Sequence, residues 1–162
     1  MNSSRNCLWR VPLYCIIAGI VSFYLILYIF GRFMIATGAD GTITTDNTRT
    51  LIVYGGIFVA TVLIGGIGLF RKMTKKEIFF SATVIVVFQV IISLIQWLMG
   101  GATGVFGIIS LYISRIYEWS GGSSQLIFMI TGNFWLGSFI QDLMPYVFII
   151  FGQKSLNNDD TN

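Results

Sequence analysis

Asp142 is the only charged side chain in the apolar stretch LIFMITGNFWLGSFIQDLMPYVFIIFG, residues 126–152. A carboxylate inside such a stretch costs about 2.5–3.5 kcal/mol on insertion scales, so it should face protein or water and have partners. Helical rise nominates them. Asp142 lies ten residues before Gly152, about 15 Å along a straight helix. Gln89 lies eleven residues beyond Ile78, Ser22 eleven beyond Val11, and Thr61 nine before Phe70. These four side chains are expected at one depth. Pro145, three residues further on, has no N–H and should free the carbonyl of Gln141. An acid beside an amide and a free carbonyl could hold a proton or a cation. The same polar set could instead join helices through hydrogen bonds, at roughly 0.6 kcal/mol each.

Other chemistries lack their residues. The chain has no histidine, which removes the commonest general base and the commonest metal ligand. A serine nucleophile would have no imidazole partner. Glu118 and Asp142 are expected at different depths, so a paired-carboxylate mechanism lacks its geometry. GGATGVFG, residues 100–107, has glycines but not the Gly-Lys-Ser/Thr ending of a phosphate loop, and it reads as a flexible corner. Cys7 and Cys15 form no CxxC, and Cys15 falls inside an apolar run, so neither a disulfide framework nor a thiol metal site is expected. No catalytic set, cofactor site or metal site is expected from these residues.

Elements that could position Asp142 follow from composition. The chain has 162 residues, 55% hydrophobic and 10% charged, with mean hydropathy +0.79. A soluble domain of this size could not hide so much apolar surface. Four runs are long enough to cross about 30 Å of hydrocarbon as helices: residues 11–35, 51–70, 78–99 and 126–152. In the last, Gly132-Asn133 and Pro145 are the expected breaks. The run 11–35 is longer than a signal-peptide core and no small-residue cleavage site follows, so it reads as an uncleaved span. The segment 36–50, rich in Thr, Gly and Asp, reads as a loop. Residues 153–162 read as a disordered polar tail. No internal repeat is evident, so nothing suggests an inverted-repeat transporter within one chain.

Between the third and fourth spans, Val105, Phe106, Ile109, Tyr112, Ile113 and Ile116 recur at helical spacing, with Ser110, Ser114 and Glu118 on another face. This pattern predicts an amphipathic helix over about 104–119, lying along the membrane surface or packed on the bundle ends. The fold class expected is therefore all-α, a four-helix transmembrane bundle with a surface helix. In that arrangement both termini and the stretch RKMTKKE share one side. That side holds Arg5, Arg10, Arg71, Lys72, Lys75, Lys76 and Lys154, against Arg32, Arg49 and Arg115 on the other. The bias makes Arg71–Lys76 a cytoplasmic anchor, or a contact for anionic lipid. Trp97, Tyr112, Tyr117 and Trp119 are expected at the outer interface, and Trp9 and Tyr14 at the inner one. The sequon Asn2-Ser3-Ser4 then faces the cytoplasm and is discounted. Gly56 with Ala60, and Thr61 with Gly65, form small-xxx-small pairs that permit close helix approach.

The basic balance, +3 overall, is accounted for by these flanking cations rather than by nucleic acid. Three functional readings follow. The first is a non-enzymatic multi-pass protein of a plasma membrane, bacterial in type, acting by association with a membrane-protein partner or with itself. The second is a small oligomeric transporter or channel using Asp142. A third, weaker in its residues, is a lipid-modifying enzyme using Arg115 and Glu118.

Overall fold

The computed structural model describes residues 8–37, 41–98, 109 and 112–153. The sequon, Cys7, the glycine corner 100–107 and the tail beyond Gln153 lie outside them. The described chain is nearly all helical. Four helices are long and apolar enough to cross a membrane: α1 (Arg10–Met34), α2 (Asn47–Phe70), α3 (Lys75–Leu98) and α5 (Phe134–Phe151). A shorter helix, α4 (Gly121–Thr131), precedes α5.

Local chemistry sets the helix ends. Asp46 caps α2 by accepting from the Arg49 N–H at 3.0 Å. The stretch TKKE before α3 is a reciprocal capping box. The Thr74 hydroxyl accepts from the Glu77 N–H at 3.2 Å, and the Glu77 carboxylate accepts from the Thr74 N–H at 2.8 Å. Between α1 and α2 the chain forms a two-stranded antiparallel hairpin, β1 (Ile35–Thr37) with β2 (Ile43–Thr45), where the sequence reading had only a loop. Paired strands satisfy backbone groups that an open loop would leave to water.

The start of α1, the α2–α3 turn and the end of α5 meet at one end of the bundle. Ser81 of α3 accepts from the Val11 N–H at 3.1 Å and donates to the Leu8 carbonyl at 2.8 Å. Gln153 accepts from the Lys75 N–H at 3.0 Å and donates to the Met73 carbonyl at 2.9 Å. The main apolar core fills this half, from Val11 and Cys15 through Phe70, Met73 and Ile78 to Trp119 and Phe148.

Two sequence expectations change. The chain breaks at Gly132-Asn133 as expected, but the fourth apolar span is only Phe134–Phe151, not 126–152. Gly132 adopts φ +66° and ends α4, and Asn133 caps α5 by accepting from the Leu136 N–H at 3.1 Å. The two helices then fold back on one another. A Cβ at Gly137 would come 2.8 Å from the Ser124 carbonyl oxygen. The second change concerns 104–119, of which 104–108, 110 and 111 are outside the described residues. The described remainder packs against the bundle, as in the second of the two readings, rather than lying apart from it. Arg115–Ser120 is a 3-10 segment pressed into the bundle, and α1 is its most extensive neighbour. A Cβ at Gly19 would come 2.2 Å from the Ile116 carbonyl oxygen. Amphipathic spacing specifies an apolar face but not whether lipid or protein meets it. Tyr117 and Trp119, expected at the outer interface, are buried here. Trp119 stacks between Phe58 and Phe148, with ring centroids at 6.0 and 5.6 Å. Tyr14 is also turned inward, its hydroxyl donating to the Thr61 carbonyl at 2.6 Å, whereas Trp9, Trp97 and Tyr112 are exposed.

Candidate functional site

In the half of the bundle away from the Arg71–Lys76 turn, the folded-in segment leaves a cleft of about 450 Å³, walled in part by Phe134 and Trp135 and carrying several polar side chains. Tyr54 comes from α2, Ser93 and Gln96 from α3, Tyr117 and Glu118 from the 3-10 segment, Ser124 and Gln125 from α4, and Ser138, Gln141 and Asp142 from α5. Gly121 and Gly122 make the geometry possible. A Cβ at Gly122 would lie 2.6 Å from the Tyr54 carbonyl oxygen, so a larger residue would hold α4 away from α2.

Asp142 lies at the cleft wall, 2% exposed, and one carboxylate oxygen accepts from the Ser93 hydroxyl at 2.6 Å. Glu118 is held on both sides. Tyr54 donates to it at 2.9 Å, and Arg115 stands 3.9 Å from its other oxygen. Arg115 also lies over the Phe23 ring at 3.9 Å from the centroid, a cation–π contact that helps a guanidinium sit among apolar helices. Among the described residues Asp142 thus has a single neutral hydroxyl as donor, while Glu118 has a cation beside it. Tyr117 adds a buried hydroxyl with no hydrogen-bond partner among the described residues.

The residues predicted to share a depth with Asp142 are placed differently. Gln89 is wholly buried one turn along α3 from Ser93, and both its amide atoms lack partners. It does not line the cleft. Ser22 and Thr61 are buried but are not lining residues either. The Gln141 carbonyl is not free as expected. The helix tightens into 3-10 form over Met144–Phe151, and the Met144 N–H returns to that carbonyl, replacing the donor that Pro145 lacks. The Gln141 side chain donates to the Tyr117 carbonyl at 3.0 Å, tying α5 to the 3-10 segment. Glu118 and Asp142, expected far apart in depth, line the same cleft.

Ser93 and Tyr54 were not picked out in the sequence, and Tyr117 only as an interface aromatic. A signal was present for the first. Gln89, Ser93 and Gln96 are spaced by four and three residues in the otherwise apolar second half of α3, which places them on one helix face. The remaining sequence candidates lie elsewhere. Arg71, Lys72, Lys75 and Lys76 are exposed at the other end of the bundle. Gly65 is a close contact within the chain, its Cβ position 2.5 Å from the Tyr14 ring, whereas Gly56 has nothing within 4 Å and Ala60 is exposed. Among the described residues no three His, Cys, Asp or Glu side chains gather as a metal site.

Comparison of the chain with protein families, with curated proteins and with solved structures found no match.

Proposed function

We propose that this chain is an integral membrane protein that binds a small cationic solute at Asp142, as a transporter or channel subunit. Its four apolar helices suit a bilayer. By the charge bias the Arg71–Lys76 turn and both termini face the cytoplasm of a plasma membrane, and the cleft faces outward. The observation that carries the reading is the buried Asp142 carboxylate, which lines the cleft and, among the described residues, accepts from the Ser93 hydroxyl alone. A group that merely joined helices would be enclosed by its partners. A carboxylate with spare acceptor capacity beside open polar space suits a cation or a proton.

The test is flux of protons or small cations in proteoliposomes, comparing the native chain with Asp142→Asn. The amide keeps the shape and removes the charge. Hydrogen bonds to charged groups are worth about 1.5–3 kcal/mol, so affinity or flux should fall about ten- to a hundredfold. Undiminished flux in a folded Asp142→Asn protein would overturn the reading.

An association role is a second reading, favoured by one feature. Gly56 and Ala60 on α2 present small residues outward, with open space beyond Gly56, a surface on which a helix of a partner or of a second copy could pack closely. Cysteine crosslinking at Ala60 in native membranes tests it. Absence of any crosslinked species would exclude that face.

A further inference from the structure

Asp142 borders two spaces. Besides the polar cleft it lines a groove of about 210 Å³ between α3 and α5. Val90, Leu94, Trp97 and Phe139 form its apolar walls. Ser93, Trp135, Ser138 and Asp142 line both spaces, so the carboxylate stands where polar and apolar volumes meet. Leu94, Trp97 and Phe139 are themselves exposed on the outer faces of their helices, where hydrocarbon would meet them in a bilayer.

From this juxtaposition we propose that the cationic ligand of Asp142 is an amphiphile, an alkylammonium whose head occupies the polar cleft and whose chain lies in the α3–α5 groove. Three features match such a molecule. The carboxylate supplies the opposite charge. The partnerless Tyr117 hydroxyl, in a residue only 8% exposed, offers an acceptor for an ammonium N–H. The groove, walled by Val90, Leu94, Trp97 and Phe139, receives the methylenes. This proposal rests on Asp142 being a cation site and adds the class of ligand.

The experiment measures binding of n-propylamine, n-butylamine, n-pentylamine and n-hexylamine to the full chain in neutral maltoside micelles, with binding to empty micelles subtracted. Each methylene transferred from water into the groove should strengthen binding about fourfold until the groove is full. Hexanol, of equal chain length but neutral, should bind at least about tenfold more weakly than hexylamine. Leu94→Trp should flatten the chain-length series, removing the gain from propylamine to hexylamine. Val90→Phe is a smaller change with the same expected direction, should Leu94→Trp not fold. Displacement of hexylamine by phosphatidylethanolamine but not by phosphatidylglycerol would support the proposal with a lipid ammonium as the source. Absence of displacement would support it with a free amine. A flat series in the native chain, with propylamine still dependent on Asp142, would overturn the amphiphile and leave the cation site standing. Binding indifferent to Asp142→Asn throughout would overturn both.

Discussion

Placing Arg115–Ser120 inside the bundle makes Gly19 the most demanding position in α1. A Cβ there would lie 2.2 Å from the Ile116 carbonyl oxygen and 2.5 Å from that of Arg115. Ordinary contact begins at 3.4 Å, so Gly19→Ala requires a displacement of about 1.2 Å. Both obstacles are backbone atoms, and neither can rotate away. The 3-10 segment must move, carrying Trp119 off Phe58 and Phe148. Overpacking of this kind costs about 1–3 kcal/mol, equivalent to roughly 5- to 150-fold more frequent opening. Cys15, one turn from Gly19 and fully buried in the same core, reports the change. In a Cys7→Ser background, alkylation of Cys15 should accelerate by that factor in Gly19→Ala, and the melting temperature should fall. Gly56→Ala, where nothing lies within 4 Å, is the control and should leave both unchanged within about 0.5 kcal/mol. Equal protection of Cys15 in Gly19→Ala and the native chain would refute the docking of this segment on α1.

Ser81→Ala leaves the buried Val11 N–H without its acceptor, and should destabilise by about 1–3 kcal/mol in thermal or denaturant unfolding; an unchanged melting temperature would contradict the α1–α3 clasp. Gln89→Leu removes two buried, partnerless polar atoms, and should be neutral or stabilising by melting temperature. A marked loss of stability would show that Gln89 has a partner the geometry does not reveal.

The four apolar helices were legible because hydrocarbon thickness imposes a run length that composition displays directly. The partner of Asp142 was not, and the reason is metric. Depth counting from Gly152 assumed about 1.5 Å per residue, but Met144–Phe151 is 3-10 helix, rising about 2.0 Å per residue. Over its eight residues this lifts Asp142 by about 4 Å, most of one turn. The acid therefore meets Ser93, one turn beyond Gln89. Gly132-Asn133 was visible as a break, but a break does not say that the chain reverses. The reversed pairing needs the close approach of Gly137 to Ser124, and the seating of α4 on α2 needs that of Gly122 to Tyr54, contacts between segments that no local pattern encodes. Likewise the apolar face of residues 112–119 was readable, whereas its burial against α1 depends on a single distant glycine.

The proposed cation path requires that the cleft reaching Asp142 open at the end of the bundle opposite Arg71–Lys76. Accessibility of single cysteines tests it most directly, with Cys7 replaced by serine and the buried Cys15 left in place. Ser138→Cys and Asp142→Cys should each react with a membrane-impermeant charged thiol reagent applied to the face opposite the Arg71–Lys76 turn, and not with reagent applied to the other face. Cysteines at both positions sealed from that face, or open only from the side of the lysine-rich turn, would contradict it.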